Sequence, residues 1–259
     1  MRLAIVGASG KMGRAIVRLA AAGGLDVVCA IGTTDIGRDA GELAGVGAIG
    51  VPVVDGLTAL ESARADVVID FSAPGVAPAL ASIAARQGAA IVSGTTGLGD
   101  EARAALARAA ERVAVLWEPN MSLGVHVLAD LVARAVAALA PWDIEIVETH
   151  HRAKVDAPSG TALRLADVAA RARAGSSRFV HGREGKPGAR AGDEIGLHAV
   201  RGGDVIGDHV VHLLGGGERL ELTHRATSRD VFAYGAIAAA RFVAGKPAGT
   251  YTLADVIHG

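Results

Sequence analysis

About the first 120 residues alternate short Val- and Ile-rich runs with Ala-rich runs that have the spacing of helices. The apolar runs are RLAIVG, DVVCAIG, ADVVIDFS, AAIVSG and VAVLWEP, and the helical ones are KMGRAIVRLAAAG, APALASIAARQG and DEARAALARAAER. Strands that are apolar throughout and alternate with helices are typical of a parallel sheet covered on both faces. The pattern predicts an α/β N-terminal domain with a doubly wound, Rossmann-type parallel sheet.

The sequence pattern changes after Trp117. A long helix is expected over about 122–140, followed by the strand DIEIVET, a second helix over about 160–174 and a polar, Gly-rich loop over 175–193. Strands and helices no longer alternate regularly here. We therefore expect a second domain of α+β type, with its helices on one face of an open sheet.

Three further strand-like runs follow that loop, and a helix closes the chain. The runs EIGLHAV, DVIGDHVVHLL and ERLELTH are separated by Arg201-Gly202-Gly203 and Gly215-Gly216-Gly217, which predict hairpin turns. Hairpins make the C-terminal sheet mostly antiparallel. The last helix is expected from about Asp230 and should end at Gly245 and Pro247.

Composition limits the class of partner. The formal net charge is −1, so there is no basic field for a nucleic acid or an anionic membrane, and a small molecule is favoured. No apolar segment approaches the roughly 20 residues that span a bilayer. The single cysteine, Cys29, excludes an intramolecular disulfide and a cysteine-based zinc cluster. We expect a soluble, cytoplasmic protein.

A glycine-rich stretch follows the first strand directly and opens a helix. It consists of Gly7, Ala8, Ser9, Gly10, Lys11, Met12 and Gly13. Glycines at such a turn let the backbone approach a pyrophosphate, whose charge then lies at the free N–H groups of the helix. The position at the start of a βαβ unit favours dinucleotide binding over a merely structural turn.

The loop after the second strand carries the residues that would read the adenosine ribose. An acidic residue is expected about 20 positions beyond the glycines, and Asp35 could fill that role. Alternatively, Thr33, Thr34 and Arg38 could receive a 2′-phosphate, since a guanidinium offers a fork of donors. An ordinary solvated loop is the third reading.

Two more stretches lie where strands of the predicted sheet end. They are Asp70-Phe71-Ser72 and Gly94-Thr95-Thr96-Gly97. Ligands bind at this edge of such sheets, and small residues and hydroxyls there suit a nicotinamide ribose and amide. Phe71 could form a wall against the ring.

The segment EIVETHHRAKVDAPSGTA, residues 145–162, combines two histidines, a lysine and a helix start. Successive side chains of a strand point to opposite faces, so His150 and His151 can share a pocket only if the strand ends there. Ser159 or Asp156 is the expected helix cap. His150, His151, Lys154 and the amides of Gly160 and Thr161 would then converge on an anion, most simply a carboxylate. Solvated side chains beside a capped helix are the alternative, and no cysteine pair or carboxylate cluster favours a metal.

From Glu148 to Ala162 the sequence resembles the signature of 4-hydroxy-tetrahydrodipicolinate (dihydrodipicolinate) reductases. The resemblance spans nearly the whole chain and includes GASGKMGR, DAGELAG, DFS, GTTG, PNMSLGV, REG and ERLELTHRATSR. It implies NADPH- or NADH-dependent reduction of a cyclic imine dicarboxylate on the diaminopimelate route to lysine. It also implies a homotetramer assembled through the C-terminal sheet.

The resemblance assigns roles by matching positions. His150 and Lys154 take the catalytic, proton-donating roles, and His151, Lys154, Gly160 and Thr161 hold the substrate carboxylates. Cofactor-binding positions include Gly7, Lys11, Met12, Gly94, Thr96 and the stretch Pro119, Asn120 and Met121. The implied domains are 1–121 with 230–259 for the dinucleotide, and 122–229 for the substrate and tetramerisation.

Three departures from the family pattern stand out. Ile31-Gly32-Thr33-Thr34 occupies the place of a common acidic residue, which leaves the choice between NADH and NADPH open. Glu118 and His126 replace a usual small residue and a usual Asn near the nicotinamide segment. A related dehydrogenase, such as an aspartate or homoserine dehydrogenase, should lack the 150–162 stretch, and a non-catalytic sensor would not need both His150 and Lys154.

Overall fold

A computed structural model describes residues 1–259 and divides the chain into two compact units. The first unit comprises Met1–Leu123 and Asp230–Gly259, and the second comprises Gly124–Arg229. None of the helices has a stretch that is long and apolar enough to cross a membrane.

The elements are numbered in chain order. The strands are β1 (Arg2–Val6), β2 (Asp26–Ile31), β3 (Val53–Val54), β4 (Val67–Asp70), β5 (Ala90–Ser93), β6 (Ala114–Trp117), β7 (Asp143–His150), β8 (Arg178–His181), β9 (Glu194–Arg201), β10 (Gly207–Leu214), β11 (Arg219–Ala226) and β12 (Gly249–Tyr251). The helices are α1 (Lys11–Ala22), α2 (Ala40–Ala44), α3 (Ala59–Ala63), α4 (Ala77–Gln87), α5 (Asp100–Ala110), α6 (Leu123–Ala138), α7 (Gly160–Ala172), α8 (Asp230–Val243) and α9 (Leu253–His258).

The first unit contains a seven-stranded parallel sheet in the order β12-β6-β5-β4-β1-β2-β3. Along β1, Leu3 and Ile5 belong to an apolar cluster with α1 and α8, whereas Ala4 and Val6 belong to another with α4 and α5. Alternate residues of a strand point to opposite faces, so both faces of the sheet are covered. The predicted doubly wound α/β domain is confirmed.

The end of the chain contributes more than the predicted helix. α8 ends at Val243, shortly before the expected stop at Gly245 and Pro247. β12 then pairs with β6 and forms the edge of the parallel sheet, and α9 begins at a capping box made by Thr252 and Asp255. These two short elements were not predicted.

The second unit contains a five-stranded sheet in the order β11-β10-β7-β9-β8. β10 pairs antiparallel with β7 and β11, whereas β9 pairs parallel with β7 and β8. The sheet is therefore mixed, which corrects the expectation of a mostly antiparallel one. The physical reason is two long connections of the kind that parallel neighbours require: the chain passes through α7 and β8 between β7 and β9, and through residues 182–193 between β8 and β9.

Only one of the two predicted hairpins is present. β10 and β11 form a hairpin, and Gly215 N–H donates to the Glu218 carbonyl in its turn. β9 and β10 are not neighbours because β7 lies between them, so Arg201-Gly202-Gly203 reverses the chain without forming a hairpin. β8 also lies within the predicted 175–193 loop as an edge strand.

Both helices of the second unit pack on one face of its sheet, as predicted. Leu128 and Val132 of α6 and Leu165 of α7 form an apolar cluster with Ile144 and Ile146 of β7. The other face carries Val147 and Val210, which lie directly opposite one another and are half-buried. This face is covered by no helix of the unit.

Candidate active site

The turn between β1 and α1 brings the backbone close to the neighbouring strand end. Gly7 has φ +86°, and a Cβ at this position would lie 2.4 Å from the Phe71 carbonyl oxygen. A Cβ on Gly13 would lie 2.1 Å from the Gly7 carbonyl oxygen. Only glycine, which has no Cβ, fits at these two positions. The geometry of the turn therefore explains the glycines at 7 and 13.

The N-terminus of α1 is open to an anion. Gly10 precedes the helix without a side-chain cap, and the first turn contains no acidic residue. The first N–H groups of a helix have no partners within it, and the helix dipole favours negative charge there.

A cleft of about 460 Å³ borders this turn. Six predicted cofactor-binding residues line it, namely Gly7, Ser9, Gly10, Thr33, Thr34 and Phe71. A second cleft of about 290 Å³ is lined by Met12, Phe71, Gly94, Thr95, Thr96, Pro119 and Met121, together with Ser72 and Phe232. The two clefts share Phe71 and Ser72, and a Cβ on Gly94 would lie 2.3 Å from the Phe71 ring.

Four predicted cofactor residues lie outside the linings of both clefts. Ala8 is buried, Lys11 is exposed at the start of α1, and Gly13 packs against the turn itself. The Asn120 side-chain oxygen accepts a hydrogen bond from Ser122 N–H at 2.9 Å.

A buried carboxylate organises the strand ends beside the clefts. Asp70 is fully buried and accepts hydrogen bonds from Ser93 Oγ at 2.9 Å, from Thr95 Oγ1 at 2.8 Å and from Ser72. The Thr95 hydroxyl therefore donates its hydrogen to Asp70. Sequence reasoning assigned no role to Asp70, because its partners come from two different strand ends.

The loop after β2 brings one carboxylate and two guanidinium groups together. Asp35 has the unusual φ of +58°, and its oxygens accept from Arg14 Nη2 at 2.7 Å and Arg38 Nη1 at 3.2 Å. Arg14 also donates to the Ser9 carbonyl oxygen of the glycine-rich turn. Arg14 was not predicted.

These features fit a dinucleotide. The close glycine backbone and the uncapped α1 N-terminus suit a pyrophosphate, and the two clefts that meet at Phe71 and Ser72 could receive the two nucleoside halves.

In the second unit, β7 ends at His150 and the two histidines make different contacts. His150 is buried, and its Nδ1 lies 2.6 Å from Glu148 Oε2. His151 lies just beyond the strand, with its Nε2 3.3 Å from Arg229 Nη2. Glu148 and His150 are two residues apart in a strand and therefore share a face.

Glu148 is itself almost completely buried. It accepts from Arg201 Nη1 and Nη2 at 2.7 and 2.8 Å, and from Ser159 N–H at 2.9 Å. Burial raises the pKa of the Glu148 carboxyl, but the hydrogen bonds from Arg201, His150 and Ser159 outweigh it and hold the pKa below its usual value. Glu148 is an ionised, fully bonded carboxylate.

Lys154 lies in the loop between β7 and α7. Its Nζ is 2.7 Å from Asp156 Oδ1, and this hydrogen bond lowers the pKa of the Asp156 carboxyl. Arg201 Nη2 donates to the Asp156 carbonyl oxygen at 2.7 Å. The arginine that binds Glu148 therefore also fixes the loop that carries Lys154.

α7 begins as expected, with Ser159 rather than Asp156 as its cap. Ser159 Oγ accepts from Ala162 N–H at 3.2 Å and lies 3.1 Å from His209 Nε2. Gly160 and Thr161 form the first turn. His209 is buried, and burial is the main cause that lowers its pKa to about 4. Its ring meets that of His150 edge-on at 5.2 Å.

The sequence singled out His150, Lys154 and the helix start as candidates. It did not indicate that Arg201 contacts Glu148, that Arg229 contacts His151 or that His209 contacts Ser159. The pairing of Glu148 with His150 has a sequence signal, since two residues on one strand face are neighbours. Arg201 and His209 come from β9 and β10, and nothing local in the sequence indicates those contacts. No group of three or more His, Cys, Asp or Glu side chains is arranged to hold a metal ion.

Two family models match the chain. The one described as "Dihydrodipicolinate reductase, N-terminus" matches residues 1–121, and the one described as "Dihydrodipicolinate reductase, C-terminus" matches residues 124–257. Together they cover almost the whole sequence.

Similar proteins match over their full lengths. A 4-hydroxy-tetrahydrodipicolinate reductase of Anaeromyxobacter sp. (strain Fw109-5) is 50% identical over 99% of this chain and 97% of its own length. The enzyme of that name from Archaeoglobus fulgidus is 47% identical over 100% of both chains. The dipicolinate-bound dihydrodipicolinate reductase from Paenisporosarcina sp. TG-14 superimposes with a TM-score of 0.80 at 27% identity over 99% of each chain. The chain belongs to the dihydrodipicolinate reductase family.

Proposed function

We propose that this protein is an oxidoreductase that reduces 4-hydroxy-tetrahydrodipicolinate, by way of dihydrodipicolinate, to tetrahydrodipicolinate on the diaminopimelate route to lysine. The observation that carries the proposal is the arrangement of residues 148–161. A buried histidine paired with a carboxylate, a lysine and a capped helix start occur together, in the stretch that resembles the family signature.

The cofactor is a nicotinamide dinucleotide, and the first unit supplies the residues that would hold it. The glycine-rich turn from Gly7 to Gly13 would bind the pyrophosphate, and the residues lining the two clefts would bind the two nucleoside halves. The reduced nicotinamide, when bound, supplies a hydride. We propose that NADPH, NADH or both serve, since the 33–38 loop offers both a carboxylate and guanidinium groups.

The substrate is a small dicarboxylate, and the second unit has groups suited to it. His151, Lys154 and the N-terminal amides of α7 at Gly160 and Thr161 are proposed to bind the carboxylates. An ammonium and a helix N-terminus both favour negative charge. The Lys154 ammonium is only partly exposed, which strengthens its interaction with an anion.

The reaction requires a proton donor. When a hydride adds to a conjugated C=C–C=N system, the electron pair moves toward the ring nitrogen side and the product must take up one proton. We propose that His150 and Lys154 donate this proton. A positioned donor of this kind contributes roughly 10²- to 10⁴-fold to a rate.

Lys154→Ala tests this assignment. Turnover should fall by about 10²-fold or more, because the ammonium that neutralises developing charge is lost. The dissociation constant of NADPH or NADH, measured by fluorescence titration, should change by less than about threefold. Lys186→Ala removes an exposed lysine of the same unit and serves as the control. A large loss of cofactor affinity, or unchanged turnover, would contradict the assignment.

The domain roles and the assembly are also part of the proposal. We assign the dinucleotide to residues 1–121 with 230–259, and substrate binding and tetramerisation to residues 122–229. The half-buried valines on the uncovered face of the second sheet, Val147 and Val210, support assembly through that face. We place the enzyme in the cytoplasm, consistent with its single, buried cysteine.

A further inference from the structure

We propose that Glu148, held by Arg201, is a positioning residue that keeps a hydrogen on Nδ1 of His150, so that Nε2 is the atom through which His150 exchanges a proton. The inference rests on the proposed function, in which His150 is a proton donor. It adds which nitrogen of the ring acts and which residues determine that choice.

Both oxygens of the Glu148 carboxylate accept hydrogen bonds. Oε1 accepts from Arg201 Nη2 and Ser159 N–H, and Oε2 accepts from Arg201 Nη1 and lies 2.6 Å from His150 Nδ1. Glu148 is ionised, and an ionised carboxylate can only accept hydrogen bonds. The hydrogen between Glu148 and His150 must therefore reside on Nδ1.

Arg201 holds the Glu148 carboxylate in place. Its guanidinium makes a two-pronged contact with Glu148, the strongest geometry for such a pair. This contact keeps the negative charge on Glu148, which would otherwise be the natural acceptor of a proton from His150. The same guanidinium donates to the Asp156 carbonyl oxygen, so the histidine and the Lys154 loop are fixed by one residue.

The other ring nitrogen of His150, Nε2, lies beside Gly207 of β10. A Cβ built on Gly207 of β10 would lie 3.0 Å from His150 Nε2, so the glycine leaves space beside this atom that a side chain would crowd. His209, whose ring lies edge-on to His150, is neutral at neutral pH and adds no repelling charge when His150 is protonated. The ion-pair partner of His150 is Glu148.

The proton balance follows directly. His150 protonated on both nitrogens gives up the Nε2 proton, and the N–H bonding pair remains on Nε2. The neutral ring keeps its hydrogen on Nδ1, bonded to Glu148, and a proton from solvent restores Nε2. In other enzymes, a carboxylate that accepts a hydrogen bond from one ring nitrogen orients the histidine and fixes its tautomer, while the other nitrogen takes part in the chemistry.

The test compares Glu148→Gln with Glu145→Gln in the full-length protein. Glu145 is on the same strand and accepts from Arg183, Arg190 and His198, but it does not contact His150. Nitrogen-15 NMR of the histidine rings, with His150 assigned through His150→Gln, reports which nitrogen carries hydrogen. Wild type and Glu145→Gln should show neutral His150 with hydrogen on Nδ1, and Glu148→Gln should shift hydrogen toward Nε2.

Turnover gives the second readout. Glu148→Gln should lower kcat on the order of 10²-fold with little change in cofactor affinity, and Glu145→Gln should leave kcat within about threefold. In a His150→Gln background, Glu148→Gln should add less than about a threefold loss, because a positioning residue acts through the residue it positions. Losses that multiply in the double variant would overturn the inference.

The wild-type NMR spectrum tests the position of the hydrogen on His150 even if Glu148→Gln does not fold. Hydrogen on Nε2 of neutral wild-type His150 would overturn the inference. If the spectrum shows hydrogen on Nδ1 in a Glu148-dependent way, but the wild-type protein consumes no reduced nicotinamide, the proposed function fails and the positioning of His150 stands.

Discussion

Asp35 is the acidic residue of the loop after β2 that the sequence offers for a ribose hydroxyl, yet its carboxylate is already bonded to Arg14 and Arg38. Two guanidiniums around one carboxylate leave a net positive charge. A 2′-phosphate would find donors there, whereas a ribose hydroxyl would have to compete with Arg14 for the acceptor. On these contacts we predict that NADPH binds more tightly than NADH.

Arg38→Ala tests that reading. The dissociation constant for NADPH should rise by about tenfold, because a charge-assisted hydrogen bond to the phosphate is lost, and that for NADH should hardly change. Fluorescence titration with each cofactor measures the difference. Arg103→Ala, an exposed arginine of α5, is the control. Equal losses for both cofactors would show that Arg38 does not contact the 2′ position.

His209 should make stability depend on pH. Burial lowers the pKa of His209 from 6.5 to about 4. Between these pH values His209 is protonated in the unfolded chain and neutral in the folded chain. The contribution of His209 to the free energy of unfolding should therefore be constant above pH 6.5. It should fall as the pH drops from 6.5 to about 4, by about 3 kcal/mol at most. Chemical denaturation at several pH values measures it.

His209→Gln removes that titration and should flatten the decline over the same range. His212→Gln, on the opposite face of the same strand, should leave it in place. An unchanged decline in His209→Gln would mean that other groups cause the loss of stability.

At the scale of single residues, the sequence predicts side chains that act close to one another along the chain. His150, Lys154, Ser159 and the start of α7 lie within one segment. Strand alternation, the capping rules and closeness along the chain are enough to single them out as candidates. Arg201 and His209 were missed because β9 and β10 reach β7 only through the sheet pairing.

At the scale of elements, one of the two glycine-rich turns predicted as hairpins in the second unit is a hairpin and the other is not. Both mark a reversal of the chain, but only the turn at 215–217 joins sheet neighbours. The strand β7 takes the place between β9 and β10, and that position depends on long-range packing. Periodicity predicted β7, β9, β10 and β11 but not β8, whereas strand order in a mixed sheet is not a local property.

Gly207→Ala probes the element that faces His150. The new methyl group would lie 3.0 Å from Nε2 and should lower turnover by about tenfold through crowding, with cofactor affinity unchanged. Gly202→Ala, whose Cβ would meet nothing within 4 Å, is the matched control. If Gly207→Ala kept full turnover, Nε2 would not be the atom that needs room.

At the scale of the whole molecule, the α/β class and the mode of covering the first sheet were predictable, because strands buried on both faces have a distinctive composition. The short elements β3, β12 and α9 were not, since two to six residues carry too little periodicity. Assembly is a further property of the whole chain that only its surfaces can indicate.

Val210→Glu tests the proposed tetramer. A charge placed on the uncovered sheet face should reduce the mass measured by light scattering from four chains to fewer, because burying it costs more than a valine contact gains. Val46→Glu alters an exposed valine of the first unit and should leave the mass unchanged. A wild-type mass of one chain would contradict the proposed assembly.

The central claim is that this protein passes a hydride from a nicotinamide to a dihydrodipicolinate ring. NADPH or NADH carrying deuterium in the transferable position at nicotinamide C4 is mixed with the protein and freshly formed 4-hydroxy-tetrahydrodipicolinate, and the product is analysed by mass spectrometry. The account predicts one deuterium on a ring carbon of tetrahydrodipicolinate for each cofactor oxidised. Product without deuterium, or no oxidation of either cofactor, would contradict it.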